Sequence, residues 1–308
     1  MTMSMSYSSR VEPTMDLSQR KPLDQEIDVF GTTDIGKQRS ENQDQFLICA
    51  LQKHVEVWGT SLTDEEHLAR LASDRMGFLA LVADGVGGSA GGKEASQTAV
   101  ESVLDYVTHS MQCFYTRDPR HEETFLEALH EAVMLSHEIV QRKAGGDAAE
   151  ERMATTLTMF MGVWPHAYVV QVGDSRCYQL RDGNLQRVTK DQTLVQQLVD
   201  DGVVNQSQAD GSPWRHILSS DFGGSTATPV TTRIELQWGD VLMGCTDGLT
   251  RHVSEEEIED QLNRLESAEQ VVRDLVSLAL ERGGSDNITV VVGRLRAPAA
   301  SYISQPGI

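Results

Sequence analysis

The chain has 308 residues, of which 39% are hydrophobic, and it carries a formal net charge of −20. This length and composition suit a folded protein of one large or two small domains, while the surplus of acids argues against a nucleic-acid partner. The longest apolar run, Phe78 to Ala83, is too short to span a membrane, and the N-terminus has no apolar signal region. We therefore expect a cytoplasmic protein with no membrane partner.

The cysteines are scattered along the chain and show no C-x-x-C spacing, which argues against a zinc site. The pattern is typical of reduced thiols that serve as small core residues. The four are Cys49, Cys113, Cys177 and Cys245.

The first half of the chain combines a polar start, two helices and the beginning of a sheet. Residues 1–25 are polar and rich in Ser and Met, and we expect them to form a flexible tail. Apolar residues at helical spacing predict amphipathic helices over 92–112 and 121–142. Short apolar segments joined by turns, including an Asp-Gly turn in "RDGNL", predict antiparallel strands over 155–163, 167–173, 176–180 and 185–189.

The second half continues the sheet and ends with a helical stretch and a last strand. Residues 191–228, here called the flap segment, interrupt the strands with a short helix-like stretch and predict a surface excursion that contacts substrate. Ser254 and Glu257 form a capping box at the start of a helical pattern over 254–282. Further strands are predicted over 231–237, 240–246 and 287–295, with a turn at Trp238-Gly239 and a loose tail over 297–308. Strands in hairpins, with helices grouped before and after, favour an α+β fold over a parallel sheet.

A glycine-rich segment, "LALVADGVGGSAGGKEAS" over 79–96, admits four interpretations. Residues 87–93 fit the phosphate-binding pattern G-x-x-x-x-G-K, but Glu94 stands where that pattern needs Ser or Thr. Residues 85–90 fit the weak dinucleotide pattern G-x-G-x-x-A. Alternatively, Asp84 at a strand end binds a metal ion while the glycines let the backbone pass close to it. The last interpretation is a tight turn without chemistry.

Five acids, in five separate segments, stand beside strand ends: Asp44, Asp84, Asp174, Asp247 and Asp286. Each alone could form a turn or cap a helix. Together, converging carboxylates would repel one another unless cations hold them. Oxygen ligands without His or Cys suit Mg²⁺ or Mn²⁺, two of which can activate water and clamp a phosphoryl group. Arg39 would then donate to the phosphate oxygens.

Six motifs in one order make the chain resemble the metal-dependent protein phosphatases of type 2C, the PPM family, in its bacterial form. The resemblance covers about residues 26–296, and the stretches "LVQQLVDDG" and "RHILSSDFGG" resemble the region that bears the family's flap. The motifs are "RSENQD", "VADGVGG", "MATT", "GDSR", "CTDGL" and "GGSDNIT".

The resemblance implies an α+β fold: a four-layer α/β/β/α sandwich with two central antiparallel sheets flanked by helices. It implies one phosphatase domain over 26–296, with an insertion at about 51–76 that is unusual for the family. The implied activity is hydrolysis of phosphoserine and phosphothreonine monoesters in proteins by direct attack of a metal-bridging hydroxide. The implied partners are phosphorylated proteins and a cognate Ser/Thr kinase.

The resemblance also assigns the site residues and two Mn²⁺ or Mg²⁺ ions. Asp84 would bridge both ions, and the Gly85 carbonyl would bind one of them. Asp44 would lie near the centre and Arg39 would bind phosphate. The assigned metal ligands are Asp84, Gly85, Asp247 and Asp286, with Asp174 and Asp247 holding a third, weaker ion.

Two positions depart from the pattern of many relatives. Gln43 stands where those members have a metal-binding Glu, and Val86 stands where they have a histidine after Asp-Gly. Both departures resemble other bacterial members. Since Val86 cannot protonate a leaving alkoxide, we expect a metal-bound water to do so, on the third ion that Asp174 and Asp247 would hold.

Two other functions remain open from the sequence alone. The first is a catalytically silent binding module with the same fold, against which the intact Asp84, Asp247 and Asp286 argue. The second is a P-loop nucleotide hydrolase, against which Glu94 and the hairpin pattern argue.

Overall fold

The computed structural model describes residues 20–52, 75–86, 91–109, 122–143 and 153–297. Predictions for most of the N-terminal tail, for the interior of the 51–76 insertion and for the C-terminal tail lie outside the described residues. The end of the helix predicted over 92–112 and the glycines Gly87 and Gly88 also lie outside them. Among the described residues, no helix is long and apolar enough to cross a membrane.

The strands form two five-stranded antiparallel sheets and one short strand pair. In chain order they are β1 (Ile27–Asp34), β2 (Gln45–Gln52), β3 (Arg75–Ala83), β4 (Gly85–Val86), β5 (Ala154–Thr155), β6 (Leu157–Val163), β7 (His166–Val172), β8 (Arg176–Arg181), β9 (Asn184–Arg187), β10 (Val230–Glu235), β11 (Val241–Cys245) and β12 (Ile288–Leu295). The first sheet has the order β1-β12-β11-β8-β9, and the second has the order β10-β7-β6-β3-β2. Strands β4 and β5 pair with each other.

Helices flank both sheets. In chain order they are α1 (Gly91–His109), α2 (Glu122–Lys143), α3 (Leu194–Asp200), α4 (Gln206–Asp210), α5 (Asp247–Thr250), α6 (Glu255–Asn263) and α7 (Ala268–Glu281). Helices α1 and α2 pack on the second sheet, and α6 and α7 pack on the first.

Alternation of apolar side chains along the strands creates the layers. In β3, Leu79 and Leu81 pack with α1 and α2, whereas Ala80 and Val82 face the other sheet. Strand β12 behaves in the same way, since Val291 lies between the sheets and its neighbours pack with α7. Because successive strand residues point to opposite faces, each sheet is apolar on both sides and needs a covering layer on each. The predicted α/β/β/α sandwich is confirmed.

Two local predictions are confirmed and one is wrong in part. Asp182 and Gly183 have φ values of 50° and 82°, as a tight hairpin turn requires. Ser254 and Glu257 form the predicted capping box. The helical pattern over 254–282, however, is two helices, because the chain leaves the helix after Asn263 and Ser267 caps a new one by accepting from the Gln270 amide.

The turn at Trp238-Gly239 joins strands of different sheets. Strand β10 pairs with β7 in the second sheet, and β11 pairs with β8 and β12 in the first. Gly239 has a φ of 94°, and its amide donates to the Leu295 carbonyl. This connection therefore carries the chain from one sheet to the other.

The flap segment leaves the first sheet after β9 and returns to the second at β10. It contains α3 and α4, and its returning chain is fixed to the body of the protein at Phe222 and Gly223. Phe222 exchanges two backbone hydrogen bonds with Thr155, at 2.9 and 2.7 Å. The Gly223 amide donates to the imidazole Nδ1 of His137 on α2 at 2.9 Å.

This contact predicts a pH dependence of stability. Burial lowers the pKa of His137 below its usual 6.5, against smaller opposing effects of Asp221 and Glu138. The neutral imidazole that accepts from Gly223 therefore contributes stability above about pH 6.5, and this contribution is lost as the pH falls through the lowered pKa. His137→Asn keeps an acceptor oxygen near the Nδ1 position without titrating. Thermal unfolding from pH 7.5 to 5 should show a shallower decline for His137→Asn than for the wild type.

His130, an exposed histidine on the same helix, provides the matched control. His130→Asn should follow the wild-type curve. Parallel curves for all three proteins would contradict the role given to His137.

Candidate metal centre

Antiparallel pairing brings the five predicted acids to one end of the sandwich. Gln45 pairs with Ala83, so the residues just outside this pair, Asp44 and Asp84, are neighbours. Cys245 pairs with both Val290 and Arg176, which brings the ends of β11, β12 and β8 together. Asp174, Asp247 and Asp286 all lie at those ends. Besides burial, the charges of the four other acids raise the pKa of Asp84, as expected for carboxylates that lie close together.

Asp44 ties the second sheet to the first. Asp44 is only 1% exposed, and its Oδ2 atom accepts hydrogen bonds from the hydroxyls of Thr246 at 2.8 Å and Thr289 at 2.7 Å. Burial raises the pKa of Asp44 to about 7, the two threonine hydroxyls oppose the rise, and Asp247 and Asp286 add to it. Its other oxygen, Oδ1, is buried and has no hydrogen-bond partner among the described residues.

The backbone of Asp84 is fixed by the two threonines of "MATT". The Thr155 hydroxyl and the Thr156 amide donate to the Asp84 carbonyl, each at 2.8 Å, and the Asp84 amide donates to the Thr156 hydroxyl at 3.0 Å. Burial raises the pKa of Asp84 well above its usual value, and repulsion by Asp44 and Asp247 raises it further. A rigid backbone thus holds a carboxylate where ionisation is costly without a cation.

Gly85 follows Asp84 in a space that no side chain can share. A Cβ atom at Gly85 would lie 2.4 Å from the Gly92 carbonyl oxygen and 2.8 Å from that of Gln43. The Gly85 amide donates to the same Gln43 carbonyl at 3.2 Å. The glycine after Asp247 is similarly confined, because a Cβ at Gly248 would lie 1.8 Å from the Asn287 carbonyl oxygen. Both glycines are therefore required by close backbone contact.

Asp174 lies in the turn between β7 and β8, directly after Gly173 with its φ of 104°. Burial raises the pKa of Asp174 well above its usual value, and repulsion by Asp247 and Asp191 adds to the shift. The structure thus brings Asp174 to the same cluster as Asp247, as the sequence predicted.

Asp247 and Asp286 are held by two arginines. Arg39 donates to both oxygens of Asp286, at 2.6 Å from Nε to Oδ1 and 2.7 Å from Nη2 to Oδ2. Arg251 contacts Asp286 Oδ2 through Nη1 at 2.6 Å and Asp247 Oδ2 through Nη2. Burial raises the pKa of Asp247, and Arg251 opposes this rise. Asp247 Oδ1 is buried and has no hydrogen-bond partner among the described residues.

Asn287 positions the loop that carries Arg39. Its Oδ1 atom accepts from the Gln43 amide at 2.9 Å, and its Nδ2 atom donates to the carbonyls of Ile35 and Glu41 at 2.9 and 3.0 Å. The "DN" pair of "GGSDNIT" therefore has two functions: the aspartate joins the acidic cluster, and the asparagine holds the loop opposite it.

The flap segment and two acids of the cluster, Asp174 and Asp247, line one cleft of about 600 Å³. His216 of the flap segment lies 3.9 Å from Asp247, measured from Nδ1 to Oδ2. Burial lowers the pKa of His216, and Arg251 contributes to the shift. Sequence reasoning did not identify Arg251 or His216. For Arg251 the sequence does carry one local signal, because it follows Asp247 by four residues and such pairs contact each other on a helix.

The donor set fits divalent cations that prefer oxygen. Two carboxylate oxygens are buried without a hydrogen-bond partner among the described residues, although buried polar atoms are normally paired. The clustered acids supply only oxygen ligands, which suits Mg²⁺ or Mn²⁺. Within the described ranges, however, no three His, Cys, Asp or Glu side chains are arranged to hold an ion. Arg39 and Arg251 instead occupy both oxygens of Asp286 and one of Asp247.

The fold is thus a four-layer sandwich that gathers acids from both sheets at one end. The family profile described as protein phosphatase 2C matches residues 53–289, so this chain belongs to the protein phosphatase 2C family. The serine/threonine protein phosphatase PstP of Mycobacterium tuberculosis is 36% identical over 214 residues, which are 70% of this chain and 40% of PstP. The serine/threonine phosphatase stp of Listeria welshimeri is 31% identical over 215 residues, which are 70% of this chain and 83% of that protein.

A solved structure has the same architecture and holds metal. It is the catalytic domain of PstP in complex with 2 manganese ions, which superposes with a TM-score of 0.66 at 29% identity and covers 88% of this chain and 99% of that one. The region matched in the PstP sequence is thus less than half of the full mycobacterial protein, 40% of its length.

The contact at Gly85 predicts a local packing requirement. Gly85→Ala should lower the free energy of unfolding by about 3 kcal/mol or more, because the new methyl group would overlap the Gly92 carbonyl. Gly244→Ala is the matched control, since its nearest neighbours would be side-chain carbons at 3.8 and 3.9 Å. Urea unfolding in the presence of a chelator measures both without any contribution from metal. Equal stability of the two variants would contradict the packing argument.

Proposed function

We propose that this protein hydrolyses phosphoserine and phosphothreonine monoesters in other proteins, with Mn²⁺ or Mg²⁺ as its cofactor. The observation that carries the proposal is the meeting of five carboxylates from five segments, with one buried oxygen of Asp44 and one of Asp247 that find no hydrogen-bond partner in the described part of the chain. Such a cluster is costly to fold unless cations offset its charge. Relatives named serine/threonine phosphatases, and a PstP structure with two manganese ions, support the assignment.

The residues take the following roles in this proposal. Asp84 and the Gly85 carbonyl would bind the ions at the centre, with Asp247 and Asp286 completing the ligand set. Asp44 would lie beside the centre, and Asp174 with Asp247 would hold a third, weaker ion. When bound, the divalent ions activate the attacking water and neutralise charge on the phosphoryl oxygens.

Arg39 would orient the phosphate. The Arg39 side chain is 45% exposed, and its planar guanidinium already donates to the two oxygens of one carboxylate. A phosphoryl group offers the same bidentate geometry. Arg39 would therefore exchange Asp286 for the substrate's phosphate once cations neutralise Asp286.

The substrates would be proteins phosphorylated on serine or threonine, and a cognate Ser/Thr kinase would produce them. The flap segment forms one wall of the cleft, so its residues would meet the polypeptide on either side of the phosphorylated residue. The competing function, a silent binding module, has no need for five clustered carboxylates, which lower the stability of the metal-free fold.

Removal of metal tests the proposal directly. Dialysis against a chelator should abolish phosphate release from a phosphothreonine peptide, and Mn²⁺ or Mg²⁺ should restore it. Asp84→Asn should lose more than about a hundredfold in kcat, because a ligand to the ions is lost. The same variant should unfold at a higher temperature than the wild type in chelator at neutral pH, since a buried and repelled carboxylate is removed.

Two outcomes would contradict the proposal. One is full activity of the wild type in chelator, and the other is normal activity of Asp84→Asn with metal. Asp105→Asn is the matched control, since Asp105 is an exposed acid on α1 that also interacts with another residue. This variant should behave as the wild type in both assays.

Asp174 yields a second prediction, which concerns the leaving group. An alkoxide must be protonated as it departs, whereas nitrophenolate departs unaided. Val86, two residues after Asp84, has no side-chain proton to donate. If Asp174 supports this protonation, Asp174→Ala should retain most of its activity on nitrophenyl phosphate and lose at least about tenfold on a phosphothreonine peptide. Steady-state kcat on both substrates decides the matter. Equal losses would assign Asp174 a purely structural role.

A further inference from the structure

Arg251 bridges two of the carboxylates that the proposed function assigns to metal. It follows Asp247 by four residues, so both side chains project from the same side of the helical turn. Its Nη2 atom contacts Asp247 Oδ2, and its Nη1 atom lies 2.6 Å from Asp286 Oδ2. The side chain is 26% exposed, against 45% for Arg39, so Arg251 is the more deeply placed of the two arginines.

The guanidinium and a divalent ion would compete for the same atoms. A carboxylate oxygen that accepts a short, charge-assisted hydrogen bond has its lone pairs directed at the donor and cannot at the same time bind a metal ion closely. Arg251 takes one oxygen of each of the two acids, and Arg39 takes the remaining oxygen of Asp286. Asp247 Oδ1 is buried and has no hydrogen-bond partner within the described ranges, so one guanidinium does not fully satisfy this pair of acids.

A cleft beside Arg251 offers space for its displaced side chain. Arg251 lines the cleft of about 600 Å³ that it shares with His216 of the flap segment and with Glu255 and Glu256 at the start of α6. A guanidinium displaced from Asp247 and Asp286 would enter this cleft, whose lining carries acids as well as three further arginines, and the two carboxylates would be free to bind cations.

We propose that Arg251 is a built-in counter-cation that holds Asp247 and Asp286 together in the metal-free protein and must be displaced when a divalent ion binds. The inference rests on the proposed function and concerns the positioning of two ligands. Arg251 stabilises the metal-free fold and, by the same contacts, weakens the affinity of the centre for metal. The chain's own charge thus sets the metal concentration at which the centre fills.

Calorimetric titration of the chelator-treated 308-residue chain with Mn²⁺ alone tests the inference without measuring activity. Arg251→Ala should bind Mn²⁺ about tenfold more tightly at the centre than the wild type, because no charge-assisted hydrogen bonds need to be broken first. Arg273→Ala is the matched control: it removes the same charge, but Arg273 pairs with Glu269 on the exposed face of α7. A change in the net charge of the whole chain is common to both variants, so the difference between them reports the charge and hydrogen bonds that Arg251 places at the cluster itself.

Thermal unfolding gives an independent measurement. In chelator, Arg251→Ala should unfold at a lower temperature than Arg273→Ala, because it leaves Asp247 and Asp286 without their shared partner. Saturating Mn²⁺ should then raise its unfolding temperature by more than it raises that of the wild type or of Arg273→Ala.

The outcomes separate the inference from the proposed function on which it rests. Equal Mn²⁺ affinities of Arg251→Ala and Arg273→Ala would overturn the role of Arg251 and leave the metal centre intact. Weaker binding by Arg251→Ala would also overturn it. A wild-type protein that binds no Mn²⁺ at millimolar concentration would overturn the metal centre and the inference together.

Discussion

Mutual repulsion among carboxylates is the constraint on which the rest of this structure depends. Antiparallel pairing necessarily brings the ends of neighbouring strands together, and here those ends carry acids. Their burial makes each negative charge more costly, which is visible in the raised pKa values of Asp44, Asp84 and Asp174. The protein offsets this cost in two ways: with threonine hydroxyls directed at Asp44, and with guanidinium groups directed at Asp247 and Asp286.

The scaffold tolerates this unfavourable electrostatics because its backbone is held tightly at the same points. Thr155 and Thr156 fix Asp84, and Asn287 fixes the loop of Arg39. Gly85 and Gly248 allow backbones to approach more closely than any side chain would permit. The large apolar cores lie further along the strands, where three layers of contacts pack the sheets and helices. The apolar packing that stabilises the fold thus lies away from the cluster, and the destabilising charge repulsion lies within it.

Local signals in the sequence predicted much of this arrangement. Acids beside glycines at strand ends are recognisable within a few residues, and their family order implied the two-sheet sandwich and the donor set. The break after Asn263 was missed because the apolar spacing continues through it. Strand β1 was also missed, since Gly31 interrupts its apolar pattern; that glycine is needed because a Cβ would lie 2.9 Å from Val291.

Other features could not be predicted because they depend on distant partners. The crossing between sheets at Trp238-Gly239 is decided by pairing with β7 and β12, and nothing near the turn encodes it. The roles of Asn287 and Arg251 depend on which groups face them in the folded chain. The loop that Asn287 holds precedes it by 244 to 252 residues.

The bond from Asp44 to Thr246 and Thr289 has a mechanical consequence. Asp44 and Asp84 lie beside strand ends of one sheet, and Asp247 and Asp286 lie beside strand ends of the other, each sheet having its own helical cover. A cation bound among them would link the two sheets of the sandwich directly. Metal binding and the packing of the two sheets are then thermodynamically linked, so a bound ion would stabilise the contact between the sheets. By the same linkage, a displacement of one sheet relative to the other would change the affinity for the ion.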